Sequence, residues 1–237
     1  MKVVAINGSP RPNGNTSHAI RIVTAELETL GIRVEQIQIG NTSIRGCLAC
    51  GSCAKNKNER CIIDDEVNEY IQVMKEADGI LIASPVYFSG IAGTMKCFLD
   101  RAFYVAGANG GLFRHKAGAA LVAVRRSGGS ATFQQLNAYL LYAEMLIPAS
   151  NYWNIIHGAA PAEVLQDEEG CQTLRMLGRN LAWLLSMRQQ GLQQGLQHPY
   201  PRNQRGVEQQ SNQKAQEDFV QIPEPAAEPK IRTNFIR

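Results

Sequence analysis

The chain has 237 residues, 44% of them hydrophobic, and 24 Lys and Arg against 21 Asp and Glu give a net charge of +3. That balance supplies one sizeable core with additions, and without Lys/Arg clusters interleaved with aromatics it excludes the basic surface of a nucleic-acid binder. No stretch approaches the roughly 18 apolar residues that cross a bilayer, and the amino terminus opens on a predicted strand, not on a basic-then-apolar leader, so a soluble cytoplasmic protein without a membrane partner is expected.

Residues 2 to 7 read as a short buried strand, followed by the loop NGSPRPNGNTS (7 to 17). Residues 16 to 30 carry Ile20, Val23, Leu27 and Leu30 on one helical face before Gly31 stops the run. Residues 33 to 39 alternate like an outer strand, and a cysteine-rich loop at 46 to 62 follows. Val67, Ile71, Met74 and Ala77 mark a second helical face, which Asp64 or Asp65 can cap. A third strand at 79 to 83 ends in SPVYFSG, a helix is predicted at 91 to 104, and a fourth strand at 117 to 124 ends in RRSGGS. A helix at 131 to 145, a fifth strand at 151 to 156 and a last helix at 171 to 188 complete the pattern. From 189 to 237 the composition changes: 11 Gln fall between Gln189 and Gln221, and five of the ten Pro lie in residues 199 to 229. This Gln/Pro-rich extension reads as disordered by composition, and our hypothesis is that it wraps a neighbouring subunit.

Strands alternating with helices predict an α/β domain over residues 1 to 188: a doubly wound five-stranded parallel sheet covered on both faces. In the order 2-1-3-4-5, the loops after strands 1, 3 and 4 crowd at the carboxyl edge beside the topological switch point, where ligands of such sheets bind.

The first of these loops suits a phosphate. Gly8 and Gly14 let backbone come close, Ser9, Thr16 and Ser17 offer hydroxyls, Arg11 offers a charged donor, and Asn15 can donate its amide or cap the helix. The nucleotide alternatives fail on detail: no Lys follows Gly14 as a Walker loop requires, and Pro10 stands where a dinucleotide fingerprint needs Gly. In the third-strand loop, Tyr87 and Phe88 present aromatic faces to a flat ring, and peptide groups around Pro85, Val86 and Tyr87 can meet heterocycle edges. Gly128 and Gly129, after Ser127, permit a second close backbone approach.

Cys47, Cys50, Cys53 and Cys61 form C-x2-C-x2-C-x7-C. Three thiolates in quick succession with a fourth on a longer lead favour a [4Fe-4S] cluster over zinc, whose structural sites more often use two separated knuckles; unmetallated thiols or a redox pair stay open. Cys97 and Cys171 read as packing residues, Trp153 and Trp183 as structural, and His18 as a helix residue able to face solvent.

Gly8-Ser9-Pro10-Arg11, Asn15-Thr16, Ser84-Pro85-Val86-Tyr87 and Gly128-Gly129 together resemble the flavodoxin-like NAD(P)H-dependent FMN reductase superfamily over roughly residues 1 to 185. The resemblance implies FMN phosphate contacts at Ser9, Arg11, Asn15, Thr16 and Ser17. It also implies isoalloxazine contacts at Pro85, Val86, Tyr87 and Phe88 and at Ser127, Gly128 and Gly129. The cysteine motif narrows the likeness to the iron-sulfur flavoprotein family, which implies that Cys47, Cys50, Cys53 and Cys61 are cluster ligands and that the chain forms a homodimer or homotetramer. The lengthened spacer before Cys61, with Lys55, Lys57, Glu59 and Arg60, and the Gln-rich extension depart from that family's pattern. An FMN oxidoreductase is therefore expected, moving electrons between FMN and a [4Fe-4S] cluster. NAD(P)H or ferredoxin is the expected donor, and a quinone, oxygen species or protein the acceptor. The alternatives are an FMN or quinone reductase without a cluster and a non-enzymatic electron carrier.

Overall fold

In the computed structural model, residues 1–193 are described. The Gln/Pro-rich extension, from residue 194 onward, lies outside the described residues. β1 (Lys2–Asn7) is a run of apolar residues buried on both faces, as a central parallel strand must be. It pairs with β2 (Arg33–Gln38) on one side and β3 (Gly79–Tyr87) on the other, and β5 (Ala117–Val124) and β6 (Ile155–His157) extend the sheet in parallel, in the order β2-β1-β3-β5-β6. This is the predicted doubly wound order, with one short addition.

Alternation along the strands divides the core. Val3, Ala5, Leu81, Ala119 and Leu121 face α1 (Asn15–Thr29) and α6 (Glu168–Gln193). Val4, Ile6, Ile80, Ile82, Ala120 and Val122 face α3 (Val67–Glu76), α4 (Gly93–Ala108) and α5 (Gly129–Tyr142). A five-residue helix, α2 (Ser52–Asn56), lies within the cysteine loop.

Several boundaries differ from the pattern reading for local reasons. β3 runs on to Tyr87 and folds back antiparallel as β4 (Gly90–Ile91). The two connecting residues, Phe88 and Ser89, have φ of 47° and 59°, the left-handed pair that a two-residue hairpin turn requires. The predicted strand at 151 to 156 shrinks to Ile155–His157, because polar side chains take over the start of the segment: Ser150 Oγ donates to Asn154 Oδ1, and Asn154 Nδ2 donates to the Ala120 carbonyl at 2.9 Å. α6 begins earlier than predicted, at Glu168, since Asp167 Oδ1 accepts the Gly170 N–H at 3.0 Å and caps its start. It also continues to Gln193, past the predicted end at 188.

Candidate functional site

β1 delivers the amino-terminal loop to the carboxyl edge of the sheet. The fully buried Asn7 accepts the Ser9 N–H on Oδ1 at 3.0 Å, Ser9 Oγ accepts the Arg11 N–H at 3.2 Å, and the Gly14 N–H donates to the Arg11 carbonyl at 3.0 Å. The chain thus curls back so that α1 starts at Asn15 with the first-turn N–H groups of Asn15, Thr16 and Ser17 lacking helical carbonyls, which is an anion cradle at the positive end of a helix dipole. Asn7 Nδ2, Asn15 Oδ1, Ser17 Oγ and Gln38 Oε1 are buried there without a hydrogen-bond partner, an unusual density of unmet polar atoms for a folded loop. Arg11 stands exposed at the lip. Asn15 Nδ2 is committed elsewhere, donating to the carbonyls of Gly158 at 3.1 Å and Ala160 at 2.9 Å, so this side chain ties the loop to the segment after β6. The segment after β2 presses on the same loop so closely that a Cβ at Gly40 would lie 2.1 Å from the Ser9 carbonyl carbon.

The loops after β3 and β5 touch each other. Gly128, at φ +86°, packs against Ser89, where a Cβ would fall 2.9 Å from the Ser89 Cα. Pro85 and Val86 are half-buried, Tyr87 is about half exposed and Phe88 is fully exposed on the hairpin tip. Ser127 is exposed, Gly128 half-buried and Gly129 buried at the start of α5. Ser127, Gly128 and Gly129 line a cavity of about 560 Å³ together with Trp153, His157 and Thr173, a volume within the usual range of small-molecule sites. Neither the amino-terminal loop nor Tyr87 and Phe88 line that cavity.

Trp153, expected to be structural, is instead 55% exposed and packs on Tyr152 at a ring separation of 4.8 Å. The tail of β6 contributes His157, whose N–H donates to Asp167 Oδ2 at 2.7 Å. Burial pushes the Asp167 carboxyl up, but its bonds to His157 and Gly170 outweigh that and hold its pKa below the ordinary value. Sequence reasoning did not bring Tyr152, Trp153 and His157 to this cavity; the adjacent Tyr and Trp just before β6 were the available signal.

The cysteine loop lies on the α3–α4 side of the sheet. Cys47, Cys50, Cys53 and Cys61 line one hollow with Leu48, Ile62, Arg101 and Tyr104 among its other walls. Cys53 is buried, Cys61 half-buried, and Cys47 and Cys50 are exposed. Burial raises the Cys53 thiol, while the Ser52 hydroxyl lowers the Cys50 thiol. Asn68, fully buried, holds the fourth cysteine: its Oδ1 accepts the Cys61 N–H at 2.7 Å, and its Nδ2 donates to the Cys61 carbonyl at 3.2 Å and to the Ile63 carbonyl at 3.0 Å. Asp65 both accepts the Val67 N–H at 3.3 Å at the start of α3 and pairs with Arg101. Burial works against the Arg101 charge, yet its bonds to Asp65 and the nearby Cys61 thiol raise its pKa above the ordinary value.

Among the described residues, no three His, Cys, Asp or Glu side chains stand close enough to hold a single metal ion. Four soft thiol donors around one hollow match the donor set of a cubane, in which each thiolate binds a different iron and the ligands stand farther apart than around one ion. Of the other cysteines, Cys171 is buried as expected, whereas Cys97 is only half-buried.

A family model described as NADPH-dependent FMN reductase matches residues 1–160. An iron-sulfur flavoprotein of Methanocaldococcus jannaschii is 34% identical over 194 residues, which are 79% of this chain and 98% of that protein. Among solved structures, RosB with bound 8-demethyl-8-formylriboflavin-5′-phosphate superposes with a TM-score of 0.63 at 16% identity, covering 97% of this chain and 100% of its own. A flavodoxin from the domain Archaea superposes with a TM-score of 0.52 at 16% identity, over 78% of this chain and 99% of its own. At identities that low, the superpositions show the flavodoxin-like fold alone. Among the described residues, no helix is long and apolar enough to cross a membrane.

Proposed function

The chain belongs to the NADPH-dependent FMN reductase family, on its iron-sulfur flavoprotein branch, and we propose that this FMN-dependent oxidoreductase moves electrons between FMN and a [4Fe-4S] cluster held by Cys47, Cys50, Cys53 and Cys61. When bound, FMN exchanges electron pairs and a cluster exchanges single electrons, so the two together join a two-electron donor to a one-electron carrier. The N–H groups of Asn15, Thr16 and Ser17 would hold the FMN phosphate, with the Ser17 hydroxyl and Arg11 adding donors and Ser9 shaping the turn. Pro85, Val86, Tyr87 and Phe88 on one loop and Ser127, Gly128 and Gly129 on the other would flank the ring, with peptide groups for its edge and aromatic faces for its plane. Asn68 would keep Cys61 turned toward its three companions. The donor would be NAD(P)H or a ferredoxin, and the acceptor a quinone, an oxygen species or a protein.

A homodimer or homotetramer accords with the surroundings of the cysteines. Leu48, Ile62 and Tyr104, which are 48%, 58% and 45% exposed, form an apolar rim at the hollow that a second copy would cover, excluding water from a cluster there.

The observation that carries this reading is the gathering of all four motif cysteines around one hollow. Anaerobic purification and reconstitution, followed by flavin extraction, iron and acid-labile sulfide assays and a visible spectrum, tests it. Expected are FMN and about four irons per chain. FMN without iron and sulfide would make the protein a reductase that works without a cluster. Steady-state NAD(P)H oxidation with a quinone then separates an enzyme from a carrier, which turns over little without a partner reductase.

A further inference from the structure

Arg101 sits in the middle of α4 with a fully buried side chain, and a guanidinium in that position needs both its charge and its five N–H groups met. Nη1 donates to Asp65 Oδ2 at 2.6 Å and to the Arg45 carbonyl at 3.3 Å. Nη2 donates to Asp65 Oδ1 at 2.7 Å and to the Ile63 carbonyl at 3.3 Å. These bonds occupy both forks and fix the guanidinium plane by a bidentate pair. Nε carries the remaining N–H, which is buried and has no partner. The same side chain lines the cysteine hollow, where Cys61 acts on its charge. A buried, unmet donor in the wall of the cysteine hollow is a group that an acceptor filling the hollow can satisfy.

We propose that the Arg101 Nε–H donates to the sulfur of Cys61 when that thiolate binds cluster iron, so that Arg101 is a positioning residue that raises the cluster's reduction potential. The inference rests on the cluster reading given above. Reduction adds one electron, hence one negative charge, to the iron–sulfur group, and a fixed cation with a hydrogen bond to a ligand sulfur stabilises the reduced form more than the oxidised one. No proton moves in this step. Arginine keeps its charge at every accessible pH, so the effect stays constant across the working range. Asp65 orients the fork and leaves Nε for the cluster side.

The test compares anaerobically reconstituted wild-type protein with Arg101→Lys and Arg101→Gln by redox titration followed by electron paramagnetic resonance. Arg101→Lys keeps a positive charge within reach of Asp65 but lacks the Nε–H. The expected result is an unchanged iron content with a more negative midpoint potential in Arg101→Lys, and a still more negative one in Arg101→Gln. A loaded Arg101→Lys protein with the wild-type potential overturns the proposal and leaves the cluster reading standing. Should the variants fail to fold, wild-type protein labelled with ¹⁵N only at arginine Nε decides. Pulsed resonance of the reduced cluster should then show a ¹⁵N coupling, and its absence overturns the proposal. A wild-type chain that takes up neither iron nor sulfide overturns both the cluster reading and this one.

Discussion

Replacing Ser17 with Ala should push the empty and the loaded protein in opposite directions. Ser17 is fully buried in the first turn of α1, and its hydroxyl has no hydrogen-bond partner. An unmet buried hydroxyl costs about 1–3 kcal/mol, and Ala is the better helix former by about 0.5 kcal/mol. The single atom removed leaves almost no cavity, so empty Ser17→Ala should be more stable by about 1–2 kcal/mol. That gain appears as a higher urea midpoint at an unchanged slope. On the proposed FMN reading the hydroxyl would donate to a phosphate oxygen in the loaded protein, a bond to a charged acceptor that contributes about 1.5–3 kcal/mol. Fluorescence titration of FMN should therefore show a Kd raised about 10- to 100-fold. A less stable empty variant, or an unaltered FMN affinity, would refute the reasoning, because either result means that the hydroxyl is already satisfied and does not face the phosphate.

Arg11→Ala removes an exposed side chain and should leave stability within about 0.5 kcal/mol, while weakening FMN by about 1–3 kcal/mol; equal affinity in parallel titrations would place the phosphate elsewhere. Asp65→Asn strips the counter-charge from the fully buried Arg101 side chain and should destabilise by about 3 kcal/mol in urea unfolding, the lower end for a broken buried pair because Asp65 keeps partial exposure. Asp167, whose folded pKa is depressed below the ordinary 3.8, contributes stability that is complete above that value and lost as pH falls through the lower folded value. Asp167→Asn should therefore flatten the acid limb of a stability-against-pH curve below about pH 4, and an acid limb identical to wild type would assign the loss to other carboxylates.

The sheet order and the two-sided core were legible because β1 and β5 are unbroken apolar runs, while β2 alternates as an edge strand does. The β3–β4 hairpin was not, since its left-handed turn residues are Phe88 and Ser89 in place of the Asn-Gly signal that such turns usually carry. Tertiary packing, with Gly128 pressed on Ser89 and Gln135 Nε2 donating to the Ser89 carbonyl at 3.3 Å, holds that strained pair. The cysteine spacing could be read directly, because metal-site ligands that are close in sequence keep a local signature. Arg101 could not: it meets Asp65 across 36 residues, and nothing in the apolar pattern of α4 distinguishes a buried arginine from a solvated one.

One helix connects the two candidate sites. The Ala92 N–H, just before α4, donates to Ser84 Oγ at 3.0 Å, which anchors the helix start to the strand that carries the ring loop. Arg101, Tyr104 and Val105, farther along the same helix, form a wall of the cysteine hollow. At the rise of an α-helix these residues lie roughly 12–18 Å beyond Gly93. A flavin at the loop before α4 and a cluster in the hollow of the same chain would thus be separated by about that length of packed protein. A second copy seated on the apolar rim of Leu48, Ile62 and Tyr104 would bring another chain's surface directly against the exposed Cys47 and Cys50. Were the proposed partner copy to present its flavin at that rim, dilution to monomers should slow cluster reduction by the flavin while leaving flavin reduction by its donor intact. Equal rates of cluster reduction in monomer and oligomer, followed at the two absorption bands by stopped flow, would locate the transfer within a single chain.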